Sequence, residues 1–78
     1  MNKKKFFSLT AQMNWRLDEG SGICYYYIGV NDNGNIHNIS KYEFDFSLKI
    51  LKKMALECNA NISNTKLINN YYIVTIKK

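Results

Sequence analysis

Residues 25–39 have the sequence YYYIGVNDNGNIHNI, in which an aromatic and β-branched run breaks at Asp32-Asn33-Gly34 and then resumes. Aromatic and β-branched residues favour strands. Asn-Gly and Asp-Gly pairs supply the positive φ angles that a tight hairpin needs. The stretch therefore predicts a β-hairpin centred near Asn33-Gly34, and we expect the rest of the chain to pack around it.

The first strand of this hairpin is predicted over residues 23–31. Successive side chains of a strand point to opposite faces of the sheet. The face better suited to the core carries Cys24, Tyr26, Ile28 and Val30. Tyr25 and Tyr27 lie on the other face, and Gly29 leaves space beside them. Exposed tyrosines often do no more than fit a pleated surface; the alternative is a platform on which Tyr25 and Tyr27 contact a partner.

Residues 5–19 fit either a strand or a helix, because their apolar members alternate in part and also recur at helical spacing. The run is long for a strand, its polar members are good helix formers, and Gly20 stands where a left-handed residue commonly ends a helix. We predict a helix over residues 5–19, followed by a flexible link at residues 20–22. Residues 1–5 are expected to be flexible.

A second helix is predicted to begin at Lys41. Ser40 and Glu43 have the spacing of a capping box, and Ile39 and Phe44 have that of a hydrophobic staple. The predicted buried stripe, spaced by threes and fours, consists of Phe44, Ser47, Leu48, Leu51, Met54, Ala55 and Cys58. Lys49, Lys52 and Lys53 gather on the opposite side. Such a lysine face is usually only solvated surface, and the alternative is contact with RNA phosphates.

Residues 62–68 and 71–77 are predicted to form a second pair of strands, joined by Asn69-Asn70, because asparagine tolerates left-handed geometry. The predicted order of elements is then α-β-β-α-β-β. Two helices on one face of a four-stranded, mainly antiparallel sheet would bury both helical stripes. The sequence therefore predicts a two-layer α+β fold, with residues 1–78 forming a single domain.

The two cysteines, Cys24 and Cys58, are too few and too widely spaced for a disulfide framework or a zinc site. We expect both to be reduced and buried, which implies a reducing compartment. The single histidine, His37, is expected to be a surface residue beside the turn, because a metal site needs several clustered ligands. The sequence therefore predicts no bound metal.

No catalytic pattern is present in the sequence. Nucleophilic catalysis needs a nucleophile held beside a base, and nothing in the sequence places an acid or a nucleophile beside the single histidine. The glycines are not followed by the Gly-Lys-Ser or Gly-Lys-Thr of a phosphate-binding loop. We expect this chain to be no enzyme, to hold no cofactor and, because its apolar runs are short, to contact no membrane. Its net charge of +5 permits an anionic partner without demonstrating one.

Three segments carry a resemblance to a known family. They are residues 9–20 (LTAQMNWRLDEG), residues 27–34 (YIGVNDNG), and residues 47–51 (SLKIL) with Met54-Ala55. In order and spacing they resemble the region that precedes the G domain in the elongation-factor-like GTPases called the GTP-binding protein one and two family. The resemblance covers residues 9 to 62. Trp15 and Arg16 match the family pattern, and we expect them to serve packing, with Trp15 covering the core and Arg16 as its polar neighbour.

The resemblance implies that this chain is the non-catalytic N-terminal domain of a cytoplasmic translation-type factor. The parent would be a GTPase that uses GTP and magnesium. The implied partners are the G domain of the same polypeptide and the ribosome or RNA. The alternative is a protein-interaction scaffold that docks through the open face of the sheet and has no nucleic-acid role. The oligomeric state is left open.

Overall fold

A computed structural model describes residues 2–30, 33–34 and 39–78. These residues form two helices, α1 (Lys3–Glu19) and α2 (Lys41–Glu57), and three strands, β1 (Ile23–Ile28), β2 (Asn61–Ile68) and β3 (Tyr71–Lys77). The strands make one antiparallel sheet in the order β1-β3-β2. Both helices pack on the same face of this sheet, which confirms the two-layer α+β class.

Helix α1 begins at Lys3, two residues before the predicted start. The side-chain oxygen of Asn2 accepts a hydrogen bond from the backbone N–H of Lys5 at 2.8 Å, and such an N-cap satisfies a donor that would otherwise lack a partner. Residues 3–5, which we expected to be flexible, therefore lie in the first turn of α1.

The end of α1 at Glu19 agrees with the sequence prediction, but the role of Gly20 differs. Gly20 has a φ of −93°, and the left-handed residues are Ser21 and Gly22, with φ values of 57° and 93°. Glycine is needed at position 20 for space, because a Cβ there would collide with the carbonyl oxygen of Ile23. The tight passage from α1 into β1 therefore depends on a missing side chain at Gly20 and on positive φ at the next two residues.

The capping box predicted for α2 is present. The Ser40 hydroxyl oxygen accepts from the Glu43 N–H at 3.1 Å, and the Glu43 carboxylate accepts from the Ser40 N–H at 3.3 Å. The helix begins at Lys41 as predicted. Its buried side matches the predicted stripe, since Leu51, Met54 and Ala55 are buried.

The predicted four strands in the order α-β-β-α-β-β are not matched by the described residues, which form three strands in the order α-β-α-β-β. Strand β1 ends at Ile28, and Gly29 follows it with a φ of 98°. Gly34 has the positive φ that the predicted turn requires, 87°. The returning strand of the predicted hairpin would fall on residues 35–38, which lie outside the described residues. The observed partner of β1 is β3, from the other end of the chain.

The hydrophobic core lies between the sheet and the two helices. It consists of Met13, Leu17, Cys24, Leu51, Met54, Ala55, Cys58, Ala60, Val74 and Ile76. Strand β3 supplies its centre, because this strand pairs on both sides. No polar or charged residue is buried in the part of the chain that the structure describes. Cys24 and Cys58 are both free and buried, which confirms the expectation for the cysteines.

Leu17→Ala should lower the free energy of unfolding by about 2–5 kcal/mol, because it empties a fully buried position between α1 and the sheet. Leu56→Ala is the matched control, since it makes the same change in a helix at an exposed side chain, and it should shift stability by about 0.5 kcal/mol or less. Urea unfolding followed by far-ultraviolet circular dichroism measures both. Equal midpoints for the two variants would contradict this packing.

Candidate interaction surfaces

The described residues contain no cluster with the composition of a metal site. Among residues 2–30, 33–34 and 39–78, no three His, Cys, Asp or Glu side chains come together as metal ligands could. His37, which was predicted to be a surface residue beside the turn, lies outside the described residues. Within the same ranges, neither helix combines the length and apolar character needed to cross a membrane. We therefore describe the candidate functional regions as surfaces.

The first surface is the face of the sheet that points away from the helices. We call it the open sheet face, and it comprises Tyr25, Tyr27, Asn64, Lys66, Ile68, Tyr71, Ile73, Thr75 and Lys77. Tyr25 and Tyr27 are 54% and 57% exposed. Their cross-strand neighbours in β3 are Thr75 and Ile73. The predicted position of the two tyrosines on an outward-facing strand surface is thus where the structure places them.

Tyr71 extends this aromatic surface, and the sequence reasoning did not single it out. Its ring stacks against that of Tyr27, with 6.1 Å between the ring centroids and 23° between the planes. The signal was available in the alternation of β3, because a strand that buries Val74 and Ile76 must place Tyr71 on its opposite face. Tyr72 does turn inward, where it stacks on Phe44 with 3.8 Å between centroids.

The second surface is the outer side of α2, which carries Lys49, Lys52 and Lys53. All three side chains are exposed, as a face opposite the buried stripe of α2 requires. Their surroundings differ. Lys49 and Lys53 line a groove between α1 and α2, whereas Lys52 lies toward β2, beside a depression that it shares with Lys49. The structure therefore divides the predicted lysine face between two neighbouring regions.

The tyrosines and the lysines lie on opposite layers of the domain. Tyr25 and Tyr27 point away from the helices, whereas the three lysines belong to α2 in the helical layer. Proteins that bind single-stranded nucleic acid by stacking bring aromatic rings and cations onto one surface. The structure does not bring these candidate residues together in that way.

The expectation that Trp15 covers the core is wrong. Its side chain is 64% exposed. The reason is helical geometry: Met13 and Leu17 face the core, and a residue two positions from each lies about 200° around the helix. Arg16 is a packing residue, but its neighbour is Tyr26, whose ring centroid lies 5.0 Å from the guanidinium carbon. Trp15 therefore matches the family pattern but is exposed, so packing in the core does not explain why a tryptophan stands at this position.

The titratable groups whose pKa is shifted are two buried thiols and one half-buried phenol. Burial raises the pKa of the Cys24 thiol, and the nearby Arg16 partly offsets this effect. Burial likewise raises the pKa of the Cys58 thiol and of the Tyr26 phenol. The Cys58 thiol donates to the carbonyl oxygen of Thr10 at 3.6 Å. A thiol with a raised pKa stays protonated near neutral pH and is a poor nucleophile, so both cysteines act as core residues.

These features define a small two-layer α+β domain with an aromatic sheet face on one side and a lysine-bearing helical layer on the other. Over 59 residues, or 76% of the chain, its sequence is 44% identical to GTP-binding protein 2 of Mus musculus. The same identity over the same length is found with GTP-binding protein 2 of Homo sapiens. This identity supports the GTP-binding protein family that the sequence resemblance indicated.

The chain spans about a tenth of the length of these curated relatives, since the match covers 10% of each. No protein-family profile matches the chain. No solved structure matches it either. What can be said of the whole relatives is therefore carried over to this chain only as a proposal.

The stability of the folded chain should fall as the pH rises above about 8.5. The pKa values of Cys24, Cys58 and Tyr26 are raised in the folded state, so the unfolded chain releases these protons at a lower pH than the folded chain does. Their stabilising contribution is complete below the unfolded values, about 8.5 for a thiol and about 10 for a phenol, and is lost above them. Urea midpoints measured from pH 7 to about pH 10 test this.

The control for this pH dependence is the double variant Cys24→Ala/Cys58→Ala, which removes both thiols and keeps small apolar side chains in the core. Its urea midpoint should decline less steeply between about pH 8 and pH 10 than that of the unmodified chain. An identical decline in the two proteins would show that thiol ionisation is not its cause.

Proposed function

We propose that this chain is a non-catalytic accessory domain at the N-terminal end of a GTP-binding, translation-type factor. We further propose that it docks on the GTP-binding domain of the same polypeptide through the open sheet face. The relationship to GTP-binding protein 2 over 76% of the chain supports the first part. GTP and magnesium would bind in the other domain, and a cytoplasmic location would suit two free, buried cysteines.

The observation that carries the docking proposal is the composition of the open sheet face. Where β1 and β3 pair, this face carries three tyrosines, Ile73 and Thr75. Its charged residues are Lys66, on the outer strand β2, and Lys77, at the end of β3. Protein interfaces are enriched in tyrosine and depleted of charge at their centre. A contiguous exposed apolar surface on a small domain commonly marks a contact with another protein.

The double variant Tyr25→Thr/Tyr27→Thr should weaken binding to the separately expressed GTP-binding domain of the parent by about tenfold or more, because central tyrosines often dominate an interface. Threonine keeps the preference for a strand. Tyr42→Thr is the matched control, since Tyr42 is 80% exposed and lies on α2, and it should leave the affinity unchanged. Isothermal titration calorimetry measures all three proteins. Absence of binding by the unmodified chain, or an equal loss in the control, would refute docking through this face.

Contact with RNA or the ribosome through α2 is the second candidate function. Lys49, Lys52 and Lys53 are exposed on one helix. In the part of the chain that the structure describes, the one ion pair joins Lys78 to Asp18 at 3.9 Å, so none of these three lysines is in an ion pair with a described carboxylate. An exposed group of unpaired lysines is what electrostatic contact with phosphates requires.

Binding to ribosomes or structured RNA should then weaken steeply with salt. Lys49→Gln/Lys52→Gln/Lys53→Gln should reduce the slope of log affinity against log salt by about one for each phosphate contact that is lost. Lys66→Gln is the control, because Lys66 lies on the sheet and not on α2. Co-sedimentation with ribosomes across a salt series measures the effect. If the unmodified chain does not bind at low salt, or the triple variant keeps the slope, the RNA contact is refuted.

A further inference from the structure

A groove lies between α1 and α2, and its lining includes Lys49 and Lys53, two of the lysines considered above for contact with RNA. It encloses about 670 Å³. Its apolar lining consists of Phe6, Phe7, Phe46 and Ile50, and its polar lining consists of Asn2, Lys3, Lys49, Lys53 and Glu57. The groove belongs to the helical layer, so it is separate from the open sheet face.

The apolar lining of the groove is partly buried and partly exposed. Phe6 and Ile50 are half-buried and pack against the core. Phe7 and Phe46 are 67% and 54% exposed. The phenyl groups of Phe7 and Phe46 lie at the edges of the groove and remain in contact with water. Concave apolar surfaces of this kind are typical of binding grooves.

The charged residues of the groove are mostly of one sign. Lys3 comes from the first turn of α1, while Lys49 and Lys53 come from α2, and Glu57 is the one acidic residue in the lining. Lys49 and Lys53 are four residues apart and therefore stand about 6 Å apart along the helix axis. Two carboxylates at positions i and i+4 of a second helix have the same separation.

We propose that this groove binds an acidic amphipathic helix of a partner protein. Apolar side chains at positions i, i+3, i+4 and i+7 of that helix would contact the four apolar residues of the groove. Acidic side chains beside them would pair with Lys49 and Lys53, and others with Lys3. This inference goes beyond docking through the open sheet face, because it concerns a different surface and a different partner. It gives Lys49 and Lys53 a protein partner in place of RNA.

The lining favours a protein helix over RNA. Phe6 and Phe7 are tilted by 57° to one another, with 6.5 Å between centroids, and do not form a continuous stacking surface for successive bases. Glu57 lies in the groove and would repel a phosphate backbone that passed along it. An acidic helix can avoid this carboxylate by ending before it or by placing a basic residue opposite it.

The probe is a fluorescein-labelled synthetic peptide of about 18 residues, or five helical turns. Its leucines stand at positions i, i+3, i+4 and i+7, a pattern that is repeated along the peptide, and glutamates flank the leucines on both sides of this apolar stripe. Fluorescence anisotropy follows its titration with the 78-residue chain. We expect saturable binding with a Kd of about 100 μM or tighter that weakens as salt is added. A peptide with lysine in place of each glutamate should bind at least about tenfold more weakly.

Variants of α2 locate the binding site. Lys49→Glu/Lys53→Glu should weaken binding of the acidic peptide by about tenfold or more, whereas Lys52→Glu, on the same helix but outside the groove, should change it by less than about twofold. Phe46→Ala should weaken binding by about fivefold or more. Leu56→Ala removes an exposed apolar side chain elsewhere on α2 and should have no such effect.

Several outcomes would overturn the proposal. They are no saturable binding by the unmodified chain, equal binding of the glutamate and lysine peptides, and an equal loss in the Lys52 variant and the groove variant. Binding of a uridine oligonucleotide that is lost with the same groove variants would assign the groove to nucleic acid instead. The comparison of the two peptides and the salt dependence use only the unmodified chain, so they remain decisive if a variant fails to fold.

Discussion

The burial of Val74 and Ile76 on β3 is the contact on which the rest of the structure depends. Both side chains are fully buried, and their strand is paired with β1 on one side and with β2 on the other. Ile76 lies opposite Cys24 in β1 and opposite Ile62 in β2. The sheet can therefore close only when the last residues of the chain are in place, and both helices pack on the surface that this closure creates.

The same strand explains the open sheet face. Side chains alternate along β3, so a strand that buries Val74 and Ile76 must present Ile73 and Thr75 on the opposite face. Because β1 is held in register with β3, Tyr25 and Tyr27 are held on that opposite face as well. A slip of one residue would expose the core set and bury the tyrosines. The core and the aromatic surface are thus specified together.

Local signals in the sequence predicted the local parts of the fold. The start of α2 follows from Ser40 and Glu43, which act within four residues of each other, and the two faces of β1 follow from alternation. The pairing of β1 with β3 was not predicted, because the turn signal at Asn33-Gly34 concerns neighbouring residues, whereas β3 lies about fifty residues away along the chain. Propensity and turn chemistry carry no information about such distant pairing.

The sequence predicted which residues belong to the candidate surfaces better than it predicted where those surfaces lie relative to one another. Tyr25 and Tyr27 lie where alternation placed them. The lysines of α2 were treated as one face, although a rotation of 100° per residue puts Lys52 on a different side from Lys53. The exposure of Trp15 could likewise have been read from its angle to Met13 and Leu17. That the tyrosines and the lysines lie on opposite layers could be seen only in the structure, because it depends on which face of the sheet the helices cover.

The amount of apolar surface left outside the core links stability to binding. A chain of 78 residues is near the lower limit for a single hydrophobic core, yet large side chains such as Phe7, Phe46, Tyr25 and Tyr27 remain more than half exposed. None of them belongs to the buried set, which comes from both helices, from β1 and β3, and from Cys58 and Ala60 between α2 and β2. A partner that covers either surface binds only the folded chain and therefore shifts the equilibrium away from the unfolded state. The open sheet face and the groove between α1 and α2 depend on the same small core but have no side chain in common. Partners on the two layers would therefore each stabilise the domain without competing for the same residues.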